Sequence, residues 1–296
     1  MEWMPIVTPA NLAAALLTLF PFLAVAFFPD AAAARVRTLP VWTRLLAPAA
    51  LCVPYILVAS GSHVFRWGWL ALYALLPAAI ATLLWHAAQA DPAQRGNWRD
   101  FLVLASLGLA VDLRWFEPAW PPHLAIFNKI LLLDAGIYGF ALIRRLEGAG
   151  FDLRLRLRDF GIGLREVVFY TPIALALGLS LGFLHLHPGW RAFTNAAFGW
   201  IFSFFFIAVP EELFFRGWLQ NLLEKRLGRY AALFLTACLF GLAHFNKRAA
   251  IFNWRYVLLA ALAGIFYGRA WRAQRRVAAS AVTHATVDAI WSLWLH

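Results

Sequence analysis

The residues PEELFFR at positions 210–216 place two adjacent carboxylates and an arginine at the end of an apolar run. The preceding residues, 192–209, include no charged side chain. A helix that crosses a bilayer needs about 20 mostly apolar residues. A charge inside the bilayer is costly, so it is retained mainly where it has a partner or a function. This stretch therefore predicts a membrane-spanning helix whose polar groups form a structural pair or carry chemistry.

The composition of the whole chain is that of a membrane protein. Of its 296 residues, 62% are hydrophobic and 14% are charged, whereas soluble domains have about 45–50% apolar and about 25% charged residues. The net charge of +11 is explained by Lys and Arg in cytoplasmic loops. Because no basic patch interleaved with aromatic residues stands outside the helices, we expect no nucleic-acid partner. We expect an integral protein of a lipid bilayer, in a bacterial inner (cytoplasmic) membrane.

Ten apolar segments predict an all-α, polytopic transmembrane bundle with about eight to ten spans. The fourth segment is short enough to be re-entrant. With the N-terminus outside, most Lys and Arg fall in alternate loops, which places those loops in the cytoplasm. The predicted segments cover residues 11–28, 45–60, 67–88, 100–113, 124–143, 164–186, 193–215, 230–245, 254–270 and 277–295.

A polar stretch at residues 144–165 separates two halves of the chain. Leucine and arginine alternate from Leu153 to Arg158, a period of two that is typical of extended backbone. Arginines in such a segment can meet anionic lipid headgroups. We place the boundary at Gly150, so that residues 1–150 form an N-terminal transmembrane half without an assigned role. Residues 151–296 then contain all the polar clusters.

The two glutamates of the motif have different predicted surroundings. Glu212 precedes Arg216 by four residues, the order that favours an ion pair on one helix face, and such a pair by itself is also explained as structural. Glu211 is turned about 100° away, where it can face a cavity as a general base. Pro210 lacks an N–H and removes one helical hydrogen bond, which allows a kink beside the carboxylates.

Two further polar clusters follow in later spans. Phe240 and His244 are four residues apart, as are His284 and Asp288, and residues at this spacing share a helix face. Asp288 is suited to orient the His284 ring or to accept its N–H. The predicted boundaries place Glu211 in the cytoplasmic half of its span and His244 at the outer end of the next. These depths conflict if both groups contact one water molecule.

Two chemistries fit the clusters. A carboxylate and a histidine can activate water to attack a carbonyl while the second histidine stabilises the oxyanion. Alternatively, a glutamate and two histidines can bind zinc. The chain contains no His-Glu-x-x-His, so the usual helical zinc spacing is missing.

The three motifs together resemble the signature of the CPBP intramembrane protease family, which comprises CAAX proteases and bacteriocin-processing enzymes and is also called the ABI family. Its pattern of Glu-Glu-x-x-x-Arg, Phe-x-x-x-His and His-x-x-x-Asn/Asp occurs in that order within residues 193–295. The resemblance implies a glutamate-dependent intramembrane endopeptidase with no metal or other cofactor. Its partner would be a membrane-associated peptide or protein substrate.

The resemblance also implies a role for each matching residue. Glu211 and His244 would activate water, and His284 and Asp288 would form the oxyanion side. The supporting residues would be Glu212, Arg216 and Phe240. CAAX members carry Asn where this chain has Asp288, a variant of bacterial members, and an ionised Asp cannot donate a hydrogen bond to an oxyanion.

Two other functions remain open at this point. One is a non-catalytic membrane protein that binds a peptide in the same pocket, such as an immunity or maturation factor. The other is a zinc-dependent membrane protease. The sequence defines neither the substrate nor the oligomeric state.

Overall fold

A computed structural model describes residues 7–186, 193–247 and 252–295, leaving out the side chains of residues 193–195. The regular elements within these ranges are helices, which confirms the predicted all-α class. The chain divides into two compact units, Met1–Leu146 and Glu147–His296. All the predicted site residues lie in the second unit.

The first unit contains seven α-helices in its described part. They are α1 (Pro9–Phe27), α2 (Pro29–Arg37), α3 (Val41–Leu46), α4 (Val53–Gly61), α5 (Trp67–Ala90), α6 (Trp98–Asp112) and α7 (Ile126–Ile137). Short 3-10 turns cover Ala47–Cys52, Glu117–Ala119 and Pro122–Leu124, and a π-helical segment, Tyr138–Ile143, continues α7. Just after that segment, the Arg144 guanidinium pairs with Asp91 at 2.7 Å and with Asp100 at 2.9 Å.

The second unit carries the three polar motifs. Its described helices are α8 (Leu157–Ser180), α9 (Phe193–Ser203), α10 (Val209–Glu212), α11 (Asn221–Leu227), α12 (Arg229–Leu242), α13 (Trp254–Gln274) and α14 (Val277–Trp294). Two π-helical segments, Phe204–Ala208 and Leu213–Gln220, join α9, α10 and α11 into one helix. We call the part of it from Ala196 to Leu227 the motif helix.

Six helices of the described ranges are long and apolar enough to cross a membrane, which confirms a polytopic membrane protein. Each predicted span contains a helix, but α6 and α12 are short, and α13 and α14 are less apolar. The six candidate spans are Pro9–Phe27, Val41–Gly61, Trp67–Ala90, Pro122–Ile143, Leu157–Ser180 and Ala196–Leu227.

The motif helix ends later than the sequence predicts. It continues to Leu227, not to residue 215, and the chain then reverses at Gly228, whose φ of 79° suits a residue without a side chain. Glu211 lies 17 residues before Gly228 and His244 lies 16 residues after it. Since helical residues rise about 1.5 Å each, the two side chains reach similar heights. The predicted conflict of depths came from the wrong helix boundary.

Glycines allow the helices that carry the site to approach one another closely. A Cβ atom on Gly163 of α8 would overlap the Val282 side chain of α14, and one on Gly241 of α12 would overlap the Val257 carbonyl of α13. Glycine has no Cβ and tolerates this contact. The positions of α13 and α14 against their neighbours therefore depend on these two residues.

Candidate active site

Glu212 and Arg216 form a fully buried ion pair, as their spacing predicts. Arg216 Nε lies 3.2 Å from Glu212 Oε2. Arg216 Nη2 also donates to the Gly264 carbonyl at 3.0 Å, and the guanidinium carbon lies 4.5 Å from the centroid of the Phe240 ring. Removing one member of a buried pair leaves an uncompensated charge. The contacts of Arg216 with Gly264 and Phe240 therefore connect the motif helix to α13 and α12.

The same carboxylate holds the His284 ring. Glu212 Oε1 lies 2.9 Å from His284 Nδ1, and the Ser280 hydroxyl donates to Glu212 Oε2. The ring stacks on Tyr267, with centroids 4.6 Å apart and planes 18° from parallel. A carboxylate only accepts hydrogen bonds, so Nδ1 carries the hydrogen in this contact. Nε2 is then the His284 atom available to the other polar groups.

Glu211 occupies the rim of the site. Its side chain is 27% exposed, whereas that of Glu212 is fully buried. Glu211 Oε2 lies 3.9 Å from His284 Nε2, and Oε1 lies 3.8 Å from Lys247 Nζ. These separations are too long for hydrogen bonds, so the contacts are electrostatic. The carboxylate thus faces a histidine on one side and an ammonium group on the other.

His244 follows the C-terminal end of α12. Its Nδ1 lies 2.8 Å from the Phe240 carbonyl oxygen, and its ring packs between those of Phe240 and Tyr256, with centroids 4.9 Å away in each case. Because a carbonyl only accepts, Nδ1 carries the hydrogen and Nε2 is the atom that can take up a proton. Glu211 is near enough to interact with His244 electrostatically.

Asp288 is anchored by a residue from another helix. Its Oδ2 accepts a 2.6 Å hydrogen bond from Ser203 Oγ, and its Oδ1 lies 3.7 Å from His284 Nε2. From the sequence, Asp288 was suited either to orient the His284 ring or to accept its N–H, and the resemblance placed it on the oxyanion side. In the structure, the hydrogen bond that fixes the ring comes from Glu212, and Asp288 lies farther from the opposite nitrogen.

A mostly apolar cavity of about 70 Å³ adjoins the two histidines and Asp288. One water molecule requires a cavity volume of roughly 10–15 Å³, so this cavity can hold several water molecules. His244, His284 and Asp288 line its polar side. Its apolar wall includes Tyr170, Phe183, Tyr256, Tyr267, Val287 and Trp291.

The backbone around Pro210 is helical, with π-helical segments on both sides of α10. The π-helical segment Phe204–Ala208 lies before the proline and the segment Leu213–Gln220 lies after the carboxylates. A π turn accommodates a lost helical hydrogen bond and is frequent at functional sites. The helix therefore continues past Pro210 with altered turns on both sides of the glutamates.

The fold brings all the predicted residues together, namely Glu211, Glu212, Arg216, Phe240, His244, His284 and Asp288. Sequence reasoning did not find Ser203, Ser280, Lys247 and Tyr267. Ser280 had a usable signal, because it precedes His284 by the same four residues that separate His284 from Asp288. Ser203 and Tyr267 reach the site through packing between helices, whereas Lys247 lies in the turn three residues after His244.

Within the part of the chain that the structure describes, no three His, Cys, Asp or Glu side chains are grouped as a metal-binding set.

A protein-family model described as type II CAAX prenyl endopeptidase, Rce1-like, matches residues 193–290. The match covers about a third of the chain and includes all three polar motifs. It confirms the resemblance to CPBP-type membrane proteases over this segment. No curated protein and no solved structure matches the chain.

Proposed function

We propose that this integral membrane protein is an endopeptidase in which Glu211 activates water for attack on a peptide bond. The observation that carries the proposal is that two adjacent glutamates have different surroundings. Glu212 is buried against Arg216 and His284, whereas Glu211 lies at the rim of the site, 3.9 Å from His284 and within electrostatic range of His244. The buried ion pair with Arg216 accounts for Glu212, whereas Glu211 takes no part in that pair and contacts Lys247 at 3.8 Å at the rim.

The proposed reaction begins with water held between Glu211 and His244. Glu211 takes a proton as the water oxygen attacks the substrate carbonyl, and it later returns that proton to the leaving amine. Such general acid–base groups contribute about 10²–10⁴-fold to the rate. His244 is suited to share the water because Nε2, and not Nδ1, is its proton acceptor.

His284 is the proposed stabiliser of the oxyanion. Nδ1 already donates to Glu212, so Nε2 donates only when the ring is protonated. The carboxylates of Glu211, Glu212 and Asp288 surround the ring and favour the imidazolium. A positioned donor at a developing oxyanion contributes about 10²–10³-fold.

Asp288 is proposed to act as a positioning residue. As an ionised acceptor it cannot donate to the oxyanion, but it attracts protonated His284 and is itself held by Ser203. The resemblance assigns this position to the oxyanion side, and attraction to His284 is a way for a carboxylate to serve that side.

The apolar wall of the cavity suits a membrane-associated peptide or protein. Aromatic and aliphatic side chains line it, and at about 70 Å³ it suits an apolar side chain of such a substrate. We place the activity in residues 151–296, propose a bacterial inner-membrane location, and assign no role to residues 1–150. Lipid-modified C-terminal peptides are the first substrates to test, because the matching family model is named for prenyl endopeptidases.

The decisive experiment compares wild-type protein with Glu211→Gln in liposomes. Substrates are sought by mass spectrometry of membrane peptides incubated with each protein. Cleavage is expected to fall by at least about 100-fold in the variant, with an unchanged unfolding temperature. Glu117→Gln, a matched change in the first unit, should retain full activity.

The outcomes separate the competing functions. If Glu211→Gln cleaves peptides at the wild-type rate, the glutamate mechanism is excluded. Peptides that bind to the wild type and are never cleaved favour the non-catalytic peptide-binding protein.

A further inference from the structure

A second cavity lies at the C-terminal end of the motif helix, away from the proposed active site near its middle. It has a volume of about 630 Å³, within the range of about 300–1,000 Å³ that is usual for ligand sites. The last turns of α11, the start of α12 and the end of α13 form it, together with Glu147 and Gly148. Along the motif helix, the lining residue nearest to Glu211 in sequence is Asn221, ten positions later.

The lining of this cavity is positively charged. It includes four cationic and two acidic side chains, which leave an excess of two positive charges: Lys225, Arg229, Arg272, Arg275, Glu147 and Glu224. A cavity lined by one sign of charge concentrates ions of the opposite sign. The occupant expected from charge alone is therefore an anion.

Glu224 organises the two arginines from α13. Its carboxylate lies 2.7 Å from Arg275 and 3.4 Å from Arg272, and the Gln220 amide donates to it at 3.1 Å. One carboxylate thus orients two guanidinium groups without balancing both charges. Arg275 remains 48% exposed in its side chain, so it can still contact a ligand.

The other side of the cavity is also pre-arranged. Lys225 Nζ donates to the Glu147 carbonyl oxygen at 3.3 Å. The guanidinium carbons of Arg229 and Arg272 both lie 5.8 Å from the centroid of the Tyr230 ring, and Tyr230 is 77% exposed. Exposed tyrosines are frequent where a helix leaves the membrane.

We propose that this cavity binds the phosphate group of an anionic phospholipid headgroup. Arginine and lysine are the side chains that recognise phosphate, by paired hydrogen bonds and by charge. The cavity lies where a candidate membrane span ends, at Leu227, so a headgroup reaches it without leaving the bilayer. Its cationic residues lie at helix ends on the side predicted to be cytoplasmic, the side on which anionic lipids attract basic groups. The proposal does not depend on peptidase chemistry.

The test measures lipid binding by the full chain in zwitterionic nanodiscs. Short-chain phosphatidylglycerol is titrated into wild type, and inorganic phosphate is titrated in a separate arm. The test variant combines Lys225→Gln with Arg229→Gln, which leaves the pairs of Glu224 intact. Each cation near an anionic lipid contributes roughly fivefold to binding, so the affinity for phosphatidylglycerol should fall roughly 25-fold. Arg226→Gln, the same change at a neighbouring exposed residue outside the lining, should leave the affinity within twofold.

Three results would overturn the proposal. The first is equal affinity of the double variant and the wild type. The second is an equal loss in Arg226→Gln, which indicates general surface attraction. The third is binding of inorganic phosphate as tight as that of the lipid, which identifies a site for soluble phosphate. The single variants Lys225→Gln and Arg229→Gln provide the same comparison if the double variant does not fold, with roughly fivefold effects.

Discussion

His284 Nδ1 lies 2.9 Å from Glu212 Oε1, although the two residues are 72 positions apart in the chain. The Glu212 carboxylate thereby joins Arg216 on its own helix to the imidazole of α14. Glu212 therefore positions His284, whereas Glu211 lies partly exposed at the rim of the candidate site. The following predictions test that division of roles and the surroundings of the site.

The first prediction concerns the buried pair. Arg216→Ala leaves Glu212 without its cationic partner, and loss of one member of a buried pair costs about 3–5 kcal/mol. We expect a low yield and a lower unfolding temperature in detergent. Adding Glu212→Gln removes the unpaired charge and should partly restore stability. Arg226→Ala is the matched control, and an Arg216→Ala protein as stable as this control would contradict the pair's importance.

The second prediction concerns the coupling of Glu211 and His244. If both act on one water molecule, Glu211→Gln and His244→Ala should each lower kcat/KM by about 10²–10⁴-fold. The double variant should be little worse than either single variant, because groups that act as a unit are non-additive. Rates are measured on one purified substrate in liposomes. Multiplicative losses would show that the two residues act independently.

The third prediction separates two roles of Asp288. Asp288→Ala removes the acceptor for Ser203 and the charge beside His284, so activity should fall about 100-fold, like loss of an oxyanion donor. Asp288→Asn keeps an acceptor for Ser203 but loses the charge. A positioning role through charge predicts a clear loss in Asp288→Asn and a shifted pH–rate profile. Wild-type or higher activity of Asp288→Asn would instead favour direct donation to the oxyanion.

The fourth prediction concerns metal. The glutamate mechanism predicts that activity survives prolonged treatment with a chelator. Elemental analysis of the purified protein should then find no stoichiometric zinc. Loss of activity on chelation, with recovery when zinc is added, would establish the zinc-dependent alternative.

The fifth prediction concerns pH and the loop before α8. Partial burial favours the neutral form of Asp152, but hydrogen bonds from Arg154 and Arg276 outweigh it and hold the pKa of Asp152 well below its ordinary value. A depressed carboxyl pKa stabilises the folded state above the unfolded pKa of about 3.9. That stabilisation is lost as the pH falls through the folded pKa.

The measurement for this prediction is the unfolding temperature of wild type and Asp152→Asn between neutral and acid pH. The variant should be less stable at pH 7, and the difference should narrow below about pH 4. Asp30→Asn, at an exposed position of α2, serves as the control. A difference that does not change with pH would show that the Asp152 charge does not contribute.

Features set by local helix geometry were predictable from the sequence. The four-residue spacing of Glu212 and Arg216 places them on one face, and the pair is present. The same spacing allows His244 Nδ1 to reach the Phe240 carbonyl at 2.8 Å. Membrane character was also determined by composition, because a chain with 62% hydrophobic residues has too few polar side chains to form a water-exposed surface. These properties depend on residues near in sequence or on averages over the chain.

Contacts between helices were decided only by the tertiary structure. Hydrogen bonds from Ser203 to Asp288 and between Glu212 and His284 join residues 85 and 72 positions apart. Such contacts depend on how far each helix extends and on how it is rotated against its neighbours. A sequence pattern defines the apolar face of a helix but not how far the helix is shifted along its axis relative to its neighbour. For the motif helix and α12, that shift follows from the turn at Gly228. Rotation and separation depend on close packing at residues such as Gly163 and Gly241. For this reason the seven motif residues were identifiable one by one, whereas the partner of each across the site was not.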